Sequence, residues 1–129
     1  MTYINELLEM VINQGTNVPN ATYFPDINGL YIGMNKHISL TGTLIDGAAE
    51  TTTIVVQANN DRDRTANWIT PIFGYNSVLH GWVDQMTITN GTLNFAWDFD
   101  FWNYSFFRIY LTTTAATNTL NIYAKLRTY

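Results

Sequence analysis

Residues 82–99 read WVDQMTITNGTLNFAWDF, two runs of alternating side chains that meet at Asn90-Gly91. A period of two turns successive side chains to opposite faces of a pleated strand. Asn-Gly between two such runs is a strong hairpin signal, because a type I′ turn needs positive φ at both central residues. The expected register pairs Thr89 with Thr92, Ile88 with Leu93, Met86 with Phe95, Asp84 with Trp97 and Trp82 with Phe99. It puts every apolar residue of the segment except Val83 and Ala96 on one face. Two strands alone are marginal in water, since one apolar face does not offset the backbone entropy lost on ordering. A second layer must cover this face.

The flanking sequence supplies that layer. Ile38, Leu40 and Leu44 alternate with Ser39, Thr41 and Thr43, and Ile54, Val56 and Ala58 alternate with Thr53, Val55 and Gln57. Phe107, Ile109 and Leu111 repeat the pattern, as do Leu120, Ile122, Ala124 and Leu126. Eight or so short strands between turn signals predict an all-β antiparallel sandwich over residues 36–129, with jelly-roll and immunoglobulin-like topologies both open. Upstream the period changes. Ile4, Leu7, Leu8, Val11 and Ile12 lie on one helical stripe, with Thr2 to cap it and Gly15 to stop it, which predicts a short N-terminal helical arm over residues 1–15. Three and a half turns are marginal alone, so the stripe must dock on something. Residues 16–35 hold two prolines and two glycines and read as an extended connector.

Composition narrows the function. Six basic against ten acidic residues leave a net charge of −4, a poor basis for binding duplex nucleic acid. Charged residues make up 12%, about half the usual ~25%. Nineteen Thr and fifteen Asn supply the polar surface instead, which hydrogen-bonds well and repels little. Without cysteine there is no disulfide framework, thiol nucleophile or cysteine-based metal site. No stretch has the ~20 apolar residues of a membrane helix. The opening MTYINELLEMVINQ, with Glu6 and Glu9 inside it and no leading Lys or Arg, does not read as a secretory signal. Neither a cofactor nor a membrane partner is expected.

No spacing suggests catalysis. By strand parity His37 faces solvent, and His80-Gly81 reads as a turn; no Ser/His/Asp set, G-x-S-x-G or phosphate-cradling loop appears. The expectation is a binding protein and not an enzyme. Asp98 and Asp100 leave the same face of a strand, the arrangement of a weak calcium candidate, although a solvated outer face explains them as well. Asp61 and Asp63 alternate with Arg62 and Arg64 and neutralise one another. Asp84 falls on the apolar face opposite Trp97 in this register, so either the strand begins after it or it has a buried partner such as Arg108. Among the aromatics, Trp82 and Trp97 have inward parity and Trp68 can plug a sandwich end, which leaves Trp102 and Tyr104 as the exposed candidates for stacking on sugar. Arg108, Tyr110, Tyr123, Lys125 and Arg127 share the outward parity of the last strands and form a possible contact face. Sequons at Asn20, Asn90 and Asn103 are what an Asn- and Thr-rich chain produces by chance.

The order of SLTGTL (39–44), VVQANNDRDRTANW (55–68), a hairpin, and NYSFFRIYLTTTAATNTLNIYAKLR (103–127) resembles small jelly-roll-like virion proteins of tailed phages, of the capsid decoration or cement type. In that pattern the strand at 54–56, the Asn-Asp loop at 59–61 and Trp68 recur with a late Arg108. The likeness spans residues 36–129. It departs at DRDR, more charged than the usual glycine-containing loop, so loop contacts do not carry over. The resemblance implies a non-enzymatic decoration protein that binds and stabilises the shell of major capsid protein. It would be made in the host cytoplasm and sit on the capsid surface of the virion as a homotrimer. The arm residues Ile4, Leu7, Leu8, Val11 and Ile12 would then be its docking contacts. The alternative is a carbohydrate- or receptor-binding module, free or on a tail or baseplate, with Trp102 and Tyr104 stacking on sugar.

Overall fold

The computed structural model describes residues 7–33, 37–60, 68–69, 72–99, 102 and 104–127, with the backbone alone at 7 and 8. Within them the chain forms β1 (Leu7–Thr16), β2 (Thr22–Phe24), β3 (Leu30–Tyr31), β4 (His37–Ile45), β5 (Thr51–Asn59), β6 (Gly74–Asn76), β7 (Gly81–Val83), β8 (Gln85–Thr89), β9 (Thr92–Phe99), β10 (Phe106–Thr113) and β11 (Thr119–Arg127). One sheet has the order β1-β11-β4-β9-β6-β7, and the other β2-β10-β5-β8 with β3 added on β10. All pairings are antiparallel.

Of the two topologies left open by the sequence, strand order selects the jelly roll. From β4 onward the long strands cross between layers, and the four-stranded units β1-β11-β4-β9 and β2-β10-β5-β8 interleave first strands with last. The hairpin β6–β7 extends the first unit sideways. Period-two patterning delivers the core as expected. Ile38, Leu40, Leu44, Trp97, Phe99, Leu120 and Ile122 face Ile54, Val56, Met86, Phe107, Ile109 and Leu111 across the interior, all essentially without solvent contact. Trp97 and Phe99 pack at 5.1 Å between ring centroids, and the Trp97 indole N–H donates to Gly74 O at 3.1 Å.

The expected hairpin at Asn90-Gly91 is not one. β8 pairs with β5 and β9 with β4, so the chain changes sheets at this turn. Asn90 has positive φ (52°) and Gly91 does not, whereas a type I′ turn requires both. The Asn90 amide donates to Glu50 O, and Gly91 O accepts from the Asp46 amide. These bonds to the β4–β5 loop turn the chain through a corner. Inward parity survives the change of partner, because it depends only on the local pleat. Met86 is buried opposite Ile54 instead of Phe95. Trp82, expected inside opposite Phe99, pairs with Tyr75 and stands 57% exposed.

The helical arm expected over 1–15 is absent from its described part. Leu7 to Thr16 is a strand, paired along its length with β11 from Leu7↔Arg127 to Thr16↔Thr119. A bulge between Val11 and Asn13 inserts Ile12 as an extra residue. Reversing the parity halfway along the strand yields apolar pairs spaced like a helical stripe, and pairing with β11 supplies the tertiary support that a lone short helix lacks. The connector expected over 16–35 likewise contributes β2 and β3 to the second sheet.

Candidate functional site

Four loops converge on one buried carboxylate. Glu50, fully buried in the β4–β5 loop, accepts from the Gly47 amide (3.0 Å) and Thr117 Oγ1 (3.0 Å) at Oε1, and from Thr113 Oγ1 (2.5 Å) and Asn118 Nδ2 (3.0 Å) at Oε2. Its own carbonyl holds Asn90 at the β8–β9 corner. Asn118 binds both the amide and the carbonyl of Val18, drawing in the β1–β2 loop. Burial pushes the Glu50 carboxyl up, but the hydrogen bonds from Thr113, Gly47, Asn118 and Thr117 outweigh it and hold the group at about 2. Asp46 lies beside it: burial raises its carboxyl above the usual range and the Glu50 charge adds to this, against hydrogen bonds from Thr52. With four donors on Glu50 satisfied within the protein, this cluster fastens the end of the sandwich.

The exposed chemistry lies on the outer face of the six-stranded sheet. One register row crosses all six strands, through Glu9↔Lys125, Lys125↔Ser39, Ser39↔Asp98, Asp98↔Tyr75 and Tyr75↔Trp82. Lys125 Nζ lies 3.8 Å from Glu9 Oε1. Ser39 Oγ donates to Asp98 Oδ1 at 2.5 Å, and His37 Nε2 lies 4.0 Å from the same oxygen. At one end a hollow of about 440 Å³ is lined by Glu9, Met10, Val11, Thr41, Tyr123, Ala124 and Lys125. At the other, Tyr75 and Trp82 meet at 6.1 Å and 75°, forming an open corner. Asn76 positions this corner by accepting the Val78 and Leu79 amides at Oδ1, which closes the turn between β6 and β7.

The sequence candidates are dispersed. Of the docking stripe, Ile12 is buried in the core while Val11 is 56% exposed; Ile4 and the side chains of Leu7 and Leu8 lie outside the described residues. Trp102 is buried, packed edge-on against Phe99, Tyr104 and Phe107, so it offers no face to a sugar, and Tyr104 packs against the core beside it. The five-residue contact face does not form, because Arg108 and Tyr110 lie on β10 and Tyr123, Lys125 and Arg127 on β11, in opposite layers. Arg108 is itself buried between the rings of Tyr23 (4.1 Å) and Trp68 (4.0 Å), donating to Gln57 Oε1 and Ile27 O at 2.6 Å each, and Tyr110 stacks on Tyr23 at 4.6 Å. Trp68 thus lies against Arg108. Asp61, Arg62, Asp63, Arg64, Asp100 and Asn103 fall outside the described residues, among which no group of three metal-ligating acids or histidines occurs. His80 sits in the expected turn, with φ 53°.

Tyr75, Ser39 and Glu50 escaped the sequence reading. The Asn76-Ser77 and His80-Gly81 turn residues mark a short hairpin and could have placed Tyr75 beside Trp82; nothing local marks Glu50 beyond Asp46-Gly47 before it.

No family model matches this sequence, and no curated protein does. Among solved structures the fold is similar to that of the SPBc2 prophage-derived protein YomS, at 12% identity and a TM-score of 0.64, over 98% of this chain and 97% of that one. It is also similar to the PBSX exported protein XepA, at 14% identity and a TM-score of 0.63, over 98% of this chain but only 39% of that one. The chain therefore shares its β-sandwich fold with a prophage-derived protein of nearly the same extent.

Proposed function

We propose that this chain is a non-enzymatic structural protein of a phage particle, a decoration or cement protein that binds the shell of major capsid protein as a homotrimer on the virion surface. The observation that carries this reading is β1. It is ten residues long, pairs only with β11, and leaves its other edge without a partner strand among the described residues, with Val11 exposed beside it. An uncovered edge of that length is a ready template for a strand of another protein. Many modest contacts of this kind add up when copies bind neighbouring subunits together. The whole-length likeness to a prophage-derived protein supports the same reading.

The test is attachment. Purified protein mixed with particles lacking it co-sediments with them, and Val11→Pro, which blocks the β1 edge, abolishes co-sedimentation while the circular dichroism spectrum stays that of a β-protein. Attachment that survives Val11→Pro would remove β1 from the mechanism, and light scattering that returns a monomer would remove the trimer.

A further inference from the structure

We propose that the outer face of the six-stranded sheet binds an extended, neutral polysaccharide, laid across the strands along the row Glu9, Lys125, Ser39, Asp98, Tyr75 and Trp82. This goes beyond attachment to a particle and does not depend on it.

The row's geometry selects the ligand class. It crosses six strands at ~4.8 Å per step, so it is about 24 Å long, enough for several pyranose rings end to end. At the row's positions on β11, β4 and β9 the backbone lies in ladders on either side. A ligand lying there is read by side chains alone, which disfavours a peptide, whose usual way onto a sheet is through main-chain bonds at an edge. Charge disfavours a polyanion: Lys125 is paired with Glu9, and Asp98 adds a negative charge that no Lys or Arg in the row offsets. A polymer of hydroxyl groups with apolar C–H faces remains.

Each part of the row meets one of those needs. Tyr75 is 43% exposed and Trp82 57%, and their right-angled corner offers ring surface to a sugar's C–H face. Next to it, Ser39 orients Asp98 Oδ1 while Oδ2 has no hydrogen-bond partner among the described residues, and a carboxylate accepting from sugar hydroxyls makes short, charge-assisted bonds. Ala96 and Thr41, the next pair along β9 and β4, keep the middle of the face low. The hollow beside Tyr123 and Lys125 receives the far end.

The experiment is native electrophoresis of the purified chain through gels containing hydroxyethylcellulose, galactomannan or dextran, with heparin as the polyanionic comparison. At least one neutral polymer retards the protein. Trp82→Ala weakens that retardation about tenfold or more, and Trp82→Phe restores most of it, since the ring and not the indole N–H is what the corner needs. Asp98→Asn weakens it as well. Both side chains are on the surface, so circular dichroism of the variants matches the parent. Free migration through all three neutral gels overturns the proposal, as does retardation by heparin alone or retardation that Trp82→Ala leaves intact. Particle co-sedimentation, probed through Val11, reads out separately.

Discussion

Asn118 Nδ2 reaches Glu50 Oε2 at 3.0 Å across 68 residues of sequence, and the same side-chain amide binds Val18, 100 residues away. Two side chains therefore lock three loops, and the Glu50 carbonyl adds the Asn90 corner as a fourth. A buried carboxylate of this kind is stabilising only while it is ionised and its donors are in place.

Acid therefore weakens the fold through Glu50. Its carboxyl titrates at about 2 in the folded chain against 4.5 as the reference value. The stabilisation is fully present above about pH 4.5 and is lost as the pH falls toward 2. Its size is on the order of 3 kcal/mol. Thermal melts between pH 7 and 2 show a steep acid limb, which Glu50→Gln flattens while lowering stability at pH 7, because the new amide turns a donor toward Thr113 or Asn118. Asp46→Asn is neutral or stabilising at pH 7, since it removes a buried charge beside Glu50.

Strand and helix make opposite demands on Val11 and Ile12. On one helical stripe both would be docked; here Ile12 is in the core and Val11 is in solvent. Ile12→Ala costs about 2 to 4 kcal/mol, and Val11→Ala changes stability by less than about 0.5 kcal/mol. Urea titrations separate the two. Deleting residues 1–16 destabilises the whole domain by exposing the length of β11, so loss of attachment by that truncation is accompanied by loss of stability.

Arg108 tolerates no substitute. Arg108→Lys keeps the charge but cannot stack between Tyr23 and Trp68 while donating to both Gln57 and Ile27 O. The expected cost is about 2 kcal/mol or more, seen as a lower denaturation midpoint together with a change in tryptophan emission from Trp68.

Gly42 is required where β4 meets β11. A Cβ there would lie 2.2 Å from the Asn121 carbonyl oxygen and 2.9 Å from Phe95 Cζ. Backbone cannot yield as a flexible side chain can, so Gly42→Ala costs about 3 kcal/mol, or prevents soluble expression.

The sequence by itself determined which side of each long strand from β4 onward faces inward. Ile54, Val56, Met86, Phe95, Trp97, Ile109, Leu111, Leu120 and Ile122 are all buried as the period of two required, because side-chain alternation is a property of the local pleat. Tertiary structure alone decided partners. Asn90-Gly91 joins two sheets and not two neighbours, Ile12 becomes a bulge residue, and Trp82 lies outside while Trp102 lies within. Closing a long loop costs little more than closing a short one, so a strand's partner is chosen by which pairing completes both layers, and that choice depends on the whole chain at once. The row from Glu9 to Trp82 is likewise assembled from six separate strands, and only their register aligns it.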